Sequence, residues 1–343
     1  MRLAALSAGL VLFIAPDVAL ACAGCRNPSL AVTRGGEGPL DASALRLALS
    51  LTGSTTHVVH EAGCADTTAC DEVPVQPLYL HDQMLYPVEL RLGAEYGLNE
   101  TFGIEAQLPF RIVATSIEYT TPEGAPYEPL DAGVHHRNET VAGIGDPWLL
   151  ARIGGKVAGF WLAARPGVSI PLGKTEENPF ALGDQGLAHQ HIQLGSGTFD
   201  PVLVLEASRA FGKVELETFV QGQFPFYENS HGYQAPFRIY GGAAVGTELF
   251  AKLHGFLGLD AFHEAAEEWD GEVQQDGNLG RSELLLTSML TRAFGPTELS
   301  LSAKFPIYRH IVEGDEEPGT LSSPLVLSLA VTHVFGADSS KLD

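Results

Sequence analysis

Apolar and polar residues alternate along most of this chain with a period of two. In Leu45-Arg-Leu-Ala-Leu-Ser-Leu51 every odd position is leucine. In Val88-Glu-Leu-Arg-Leu-Gly-Ala-Glu-Tyr96 the even positions are apolar and the odd ones are charged or glycine. Phe102-Gly-Ile-Glu-Ala-Gln-Leu-Pro-Phe-Arg-Ile112 and Leu299-Ser-Leu-Ser-Ala-Lys-Phe305 repeat the pattern. Successive side chains of a strand point to opposite faces, so this alternation predicts a sheet with one apolar and one polar face.

Twelve segments carry the pattern: 43–59, 84–98, 101–118, 141–154, 158–172, 192–211, 213–227, 236–251, 254–264, 280–294, 297–308 and 324–336. Many exceed the five or six residues common in soluble strands and reach the roughly nine to eleven that a tilted membrane strand needs. Their connections alternate in length. Gly97-Leu-Asn-Glu100, Gly154-Gly-Lys156, Phe211-Gly-Lys213, Lys252-Leu-His254 and Phe294-Gly-Pro296 are tight turns, and between them lie long polar segments at 60–83, 119–140, 173–191, 228–235, 265–279 and 309–323. Short turns on one side and long loops on the other mark an outer-membrane barrel. The fold expected is all-β: a transmembrane antiparallel up-and-down β-barrel of about 12 strands, with both termini on the periplasmic side. Ser328-Leu-Ala-Val-Thr-His-Val-Phe335 ends on an aromatic residue and resembles the C-terminal signal read by barrel-assembly machinery, although a tail to Asp343 follows it.

Prolines recur in phase with the hairpins. Gln107-Leu-Pro-Phe110, Ser169-Ile-Pro-Leu172, Gln223-Phe-Pro-Phe226 and Lys304-Phe-Pro-Ile307 fall late in strands running outward from a tight turn. Gly145-Asp-Pro147 and Phe199-Asp-Pro201 open strands running inward. Proline removes a ladder donor and belongs at strand ends or bulges, here near the outer rim. Gly143-Ile-Gly-Asp-Pro-Trp-Leu-Leu-Ala-Arg152 resembles the glycine-aspartate strand opener of the outer-membrane proteins named for the meta-pathway of phenol degradation. Leu194-Gly-Ser-Gly-Thr-Phe-Asp-Pro201 resembles their second opener, and Pro171-Leu-Gly-Lys174 their proline-glycine strand exit. The resemblance covers about residues 40–336. It implies a barrel porin or transporter linked to uptake of apolar or aromatic compounds.

The N-terminus sets the compartment. Arg2 precedes an apolar run from Leu3 to Ile14, and Ala19-Leu-Ala21 offers the small residues that a signal peptidase reads. The plan is therefore a signal peptide at 1–21, a periplasmic segment at 22–42, the barrel at 43–336 and a periplasmic tail at 337–343. The surroundings expected are lipid and lipopolysaccharide of a Gram-negative outer membrane. A net charge of −22 argues against nucleic-acid binding, which needs lysine and arginine facing phosphates. Four cysteines in an exported chain suggest disulfides. Cys64 and Cys70 are expected to close a small loop. Cys22-Ala-Gly-Cys25 lacks the histidine of a haem site, because Arg26 stands there. A local disulfide, lipid on Cys22 or thiolate capture of copper or zinc remain open for that pair. His135, His136, His189 and His191 are candidate ligands for the same divalent metal, although no spacing defines a complete set. No cofactor is otherwise expected.

Parity assigns the remaining chemistry. If leucine, phenylalanine and valine face lipid, then Arg46, Glu89, Arg91, Glu95, Glu105, Gln107, Arg111, Asp146, Arg152 and Arg165 face the lumen. So do Asp200, Glu206, Glu215, Glu217, Arg238, Glu248, Asp260, Glu283, Glu298 and Lys304. Such a wall either pairs its charges internally or forms a polar solute path that favours cations. Asn229-Ser-His231 has the residue types of a hydrolase, but adjacent loop residues make a poor triad geometry, and the chain reads as a non-enzyme.

Overall fold

A computed structural model describes residues 39–62, 76–130, 138–274, 277–313, 319–322 and 325–336. In chain order the elements are β1 (Leu45–Ser54), β2 (Thr56–Ala62), β3 (Tyr79–Gly97), β4 (Phe102–Thr120), β5 (Thr140–Ile144), β6 (Trp148–Val157), β7 (Phe160–Ser169) and the single-turn α1 (Pro179–Gly183). There follow β8 (Asp200–Phe211), β9 (Val214–Gln223), β10 (Tyr233–Gln234), β11 (Arg238–Phe250), β12 (Leu253–Glu264), β13 (Glu268–Trp269), β14 (Arg281–Phe294), β15 (Thr297–Ile311), β16 (Gly319–Ser322) and β17 (Val326–Phe335).

Once interrupted strands are joined, each barrel strand pairs antiparallel with the next in sequence, and β1 pairs with β17 from Leu45↔Phe335 to Ser54↔Val326. The sheet therefore closes on itself. β2 continues β1 beyond Thr55 and pairs with the outer half of β3, while β16 continues β17. β5 and β6 are two parts of one strand, split at the Gly145-Asp146-Pro147 opener. With these joined, the architecture is a 12-strand transmembrane β-barrel. β10 and β13 form a separate two-stranded sheet in the outer loops.

The outward face explains the alternation. Leu49, Leu51, Leu90, Leu92, Ile104, Leu108, Leu257 and Leu329 are exposed, as an apolar belt in contact with lipid requires. Exposed aromatic residues rim it at both ends: Tyr96, Phe102, Phe211, Phe250, Phe294 and Phe335 at the tight turns, and Tyr86, Phe110, Phe199, Phe237 and Phe305 at the other side. Ten residues separate Tyr96 from Tyr86 on β3. At about 3.3 Å per residue and a tilt near 40° the girdles stand about 25 Å apart, the height of a lipid-facing band.

The chemistry of the faces inverts above that belt. On β4 the positions up to Ile112 are apolar outward and polar inward. Beyond it Ser116 and Glu118 are exposed, while Val113 and Ile117 are buried. The outer ends of β2 to β5 thus have the polarity of a water-facing sheet. Val58, Leu85 and Val113, with Val141 against them, pack there around Ile192 from the loop after β7. Residues 192–199, expected as the start of a strand, are instead part of that inward-folded loop. Gly195 sits so close to its surroundings that a Cβ there would lie 2.5 Å from the Asp146 carboxylate and 2.8 Å from the Gly173 carbonyl. Crossed backbones at this spot replace a ladder.

Candidate functional site in the barrel interior

The inward positions of β1, β3, β4, β6, β7 and β8 hold a packed ionic network. Arg165, with no exposed side-chain surface, reaches Glu105 at 2.7 Å, Glu95 at 3.1 Å and Glu206 at 3.1 Å. Arg46 pairs with Glu95 at 2.9 Å, and Arg152 pairs with the same carboxylate at 2.6 Å. Arg152 also donates to the Glu100 carbonyl, tying the network to the first tight turn. One layer farther out, Glu89 lies 2.6 Å from Arg91 and 3.0 Å from Arg111. Gln107 joins the layers, accepting from Arg91 and donating to Glu105. Removing such charges from water costs several kcal/mol per ion unless each is paired, and here arginine forks meet carboxylates from neighbouring strands. This sector is filled.

The opposite wall carries smaller networks. Near the outer rim Glu264 accepts from Arg238 at 2.5 Å and lies 3.5 Å from Arg281, and Glu283 pairs with Arg309 at 2.5 Å. Mid-barrel, Lys304 lies 3.3 Å from Asp260, and Tyr240 contacts both of them. Tyr240, Phe262 and Leu285 form an apolar interior cluster with Phe219. Leu150, Val202, Val204 and Trp148 form another. The inner face is therefore mixed, with apolar and aromatic surface between the ion pairs.

Toward the tight turns the space inside this second wall is not filled. A cavity of about 330 Å³ lies between β7, β8, β9, β11, β12, β14 and β15, lined in part by Glu206, Glu215, Glu217, Glu298, Phe256 and Ser302. Glu215 lies 3.6 Å from His254.

The two glycine-aspartate openers act on the infolded loop. Asp146 accepts from the Gly173 N–H at 2.8 Å, the Ser196 N–H at 2.6 Å and the Ser196 hydroxyl at 2.9 Å. Arg111 donates to the Leu194 carbonyl at 3.1 Å. Asp200 accepts from Thr198 at 2.6 Å and Gln223 at 2.8 Å. Above them Phe180 of α1 stacks edge-on with His191 and Trp269, and Trp269 lies against Tyr233. The loops after β7, β9 and β12 thus knit into an aromatic cap over the outer mouth.

The predicted residues distribute as follows. Arg46, Glu89, Arg91, Glu95, Glu105, Arg111, Arg152, Arg165 and Glu206 are brought together in the first network. Arg238, Lys304, Glu283 and Asp260 lie on the opposite wall, and Glu215, Glu217 and Glu298 at the cavity. Asp146 and Asp200 hold loop backbone or loop hydroxyls. Glu248 is exposed beside a tight turn, where it accepts from the Lys252 N–H at 3.1 Å. His189 and His191 are buried in the cap with ring centroids 5.0 Å apart. Among the described residues no group of three or more histidine, cysteine, aspartate or glutamate side chains is placed to hold a metal ion. Cys22, Cys25, Cys64, Cys70, His135 and His136 lie outside the described residues. Sequence reasoning missed the apolar interior clusters and the aromatic cap, because Tyr240, Phe262 and Trp269 carry no mark in the pattern that separates inward from outward aromatics.

No family model and no curated protein matches the chain. Among solved structures it is similar to an outer membrane channel from Pseudomonas putida F1, at 14% identity over 89% of this chain and 100% of that one, with a TM-score of 0.57. That likeness shows the barrel fold. The P. putida toluene transporter TodX overlaps at 9% identity, 87% of this chain, 91% of that chain and a TM-score of 0.41. A Pseudomonas aeruginosa FadL homologue overlaps at 10%, 84%, 90% and 0.40.

Proposed function

We propose that this chain is an outer-membrane channel for small solutes of apolar or aromatic character, exported by a cleaved leader and inserted among lipid and lipopolysaccharide by barrel-assembly machinery. One observation carries the reading: a closed barrel with an apolar outer face keeps a cavity of about 330 Å³ in its interior. A barrel serving only as scaffold gains nothing from an unfilled interior, since voids forfeit packing and uncompensated carboxylates cost desolvation. The apolar clusters around Tyr240 and Val204 give a solute of low polarity something to pass over, and the motif resemblance to the meta-pathway proteins points the same way. In this reading the solute path follows the wall of Phe219, Phe256 and Glu217, and the Arg165 network forms its fixed side.

The test is reconstitution. Full-length protein in proteoliposomes is expected to admit small solutes, read as swelling by light scattering, and to give discrete conductance steps in planar bilayers. Impermeable liposomes and silent bilayers from protein that is folded by its heat-modifiable migration overturn the reading.

A further inference from the structure

The tight-turn end of the interior is asymmetric in charge. On the side of β1, β3, β4, β6 and β7 the carboxylates are matched by Arg46, Arg152 and Arg165. On the side of β9 and β15 two of them, Glu217 and Glu298, are not. Among the described residues, Glu217 and Glu298 make neither an ion pair nor a hydrogen bond, yet both line the cavity. Glu215, Glu298 and Glu206 all lie within electrostatic range of Glu217. The basic groups within electrostatic range of Glu298 have other partners: Arg46 pairs with Glu95 at 2.9 Å, and His254 lies 3.6 Å from Glu215. Negative charge in a partly enclosed, low-dielectric space attracts a positive occupant far more strongly than it would in water.

A second observation points to an occupant. Ser302 is 5% exposed, lines the cavity, and its hydroxyl has no hydrogen-bond partner. The Trp161 indole N–H, which lines the cavity from β7, is also buried without one. Buried polar groups are nearly always satisfied, so each marks a place where a partner belongs.

The remaining wall says what kind of cation. Phe219, Phe256 and Met289 line the cavity beside the carboxylates, offering ring faces and a polarizable thioether. A bare metal ion does not fit, because among the described residues no three histidine, cysteine, aspartate or glutamate side chains are placed to hold one. The volume falls at the small end of the roughly 300–1,000 Å³ typical of small-molecule pockets. We infer that the acidic cavity bounded by Glu217, Glu298, Ser302 and Phe256 is a binding site for a small organic cation, a protonated amine carried on an apolar or aromatic body. Glu217 and Glu298 meet the ammonium, Ser302 takes one of its N–H groups, and the rings cover the body. This deepens the channel reading and rests on it for its biological sense: solutes leaving toward the tight-turn side are sorted here by charge.

Calorimetric titration of the full-length protein in detergent tests the site with three probes of one shape: benzylamine, benzyl alcohol and benzoate. Benzylamine is expected to bind at least about tenfold more tightly than benzyl alcohol, the scale of a hydrogen bond to a charged group, and benzoate not measurably. The double variant Glu217→Gln/Glu298→Gln is expected to erase the preference for the amine while binding of the alcohol stays as it was. Glu248→Gln, at a tight turn outside the cavity, should behave as the parent. Equal binding of amine and alcohol by the parent, or an amine preference that survives the double variant, overturns the inference. If the double variant does not fold, Ser302→Ala serves in its place and should weaken the amine selectively; no change there counts against the site. Proteoliposomes separate this from the channel itself: permeable vesicles with no amine preference in binding sink the cation site alone, whereas impermeable vesicles sink the channel.

Discussion

Arg165 is the residue on which the filled side of the barrel turns. Its guanidinium has no exposed surface and faces three carboxylates on three strands. Replacing it with leucine supplies volume but strips Glu95, Glu105 and Glu206 of their shared cation. Breaking a buried pair in this way costs about 3–5 kcal/mol. Arg165→Leu should therefore lower the urea midpoint of the reconstituted protein markedly, and Arg165→Lys should fall between, since an ammonium cannot fork toward several partners. Glu298→Gln at the exposed cavity mouth should stay within about 0.5 kcal/mol of the parent. Equal shifts for Arg165→Leu and Glu298→Gln would refute this division. Asp146 works differently: it holds backbone. Its carboxylate fixes Gly173 and Ser196 from one point, so Asp146→Ala should release the crossing of residues 173 and 195 without opening the barrel. Hydrogen exchange at Ser196 is expected to accelerate by at least about tenfold while the strand amides of β3 and β4 keep their protection.

At the scale of elements, the strands were readable because lipid imposes one rule on every outward position. Leu45 to Leu51 and Val88 to Tyr96 state that rule without exceptions, and the structure pairs them in register, Leu51↔Leu90 and Leu49↔Leu92. The reading failed where the rule stops. Tyr79 to Gln83 are strand, although the sequence suggests loop, because above the girdle the outward Asp82 need not be apolar. Ile192 and Leu194 alternate as strand residues do, but their apolar side chains pack inside the mouth. Parity gave the inward side of Glu217 and Arg165 alike; it was silent on which carboxylates would find arginines, since that depends on neighbours two strands away. The tight turns add a prediction. Between β11 and β12 both Ala251 and Lys252 have positive φ, 48° and 62°, a hairpin geometry that side chains disfavour by about 1 kcal/mol per residue. Lys252→Gly keeps the N–H that Glu248 accepts and should raise the thermal midpoint in detergent; a lowered midpoint would show that the lysine side chain matters more than its backbone strain.

For the whole molecule, the proposed channel could be limited at either of two places, the cap at the outer mouth or the ionic sector below it. The loop between β7 and β8 contributes Phe180, His191 and Ile192 to the cap, and its two ends come together: the N–H groups of Leu194 and Gly195 both donate to the Lys174 carbonyl, at 3.1 and 3.2 Å. Residues 175–193 can therefore be replaced by two glycines without stretching the wall, leaving the Asp146 clasp on Gly173 and Ser196 in place. Loss of Ile192 from its cluster with Val58, Leu85 and Val113 makes the outer end less stable, yet the belt and the inner networks are untouched. If the cap is the narrower obstacle, the excised protein should show a several-fold larger unit conductance and faster swelling with small neutral solutes. Unchanged conductance from a folded variant would place the limit in the Arg165 sector, and then Arg165→Leu, not the loop excision, should change the current. The two variants together locate the constriction, because the cap and the network share no residue.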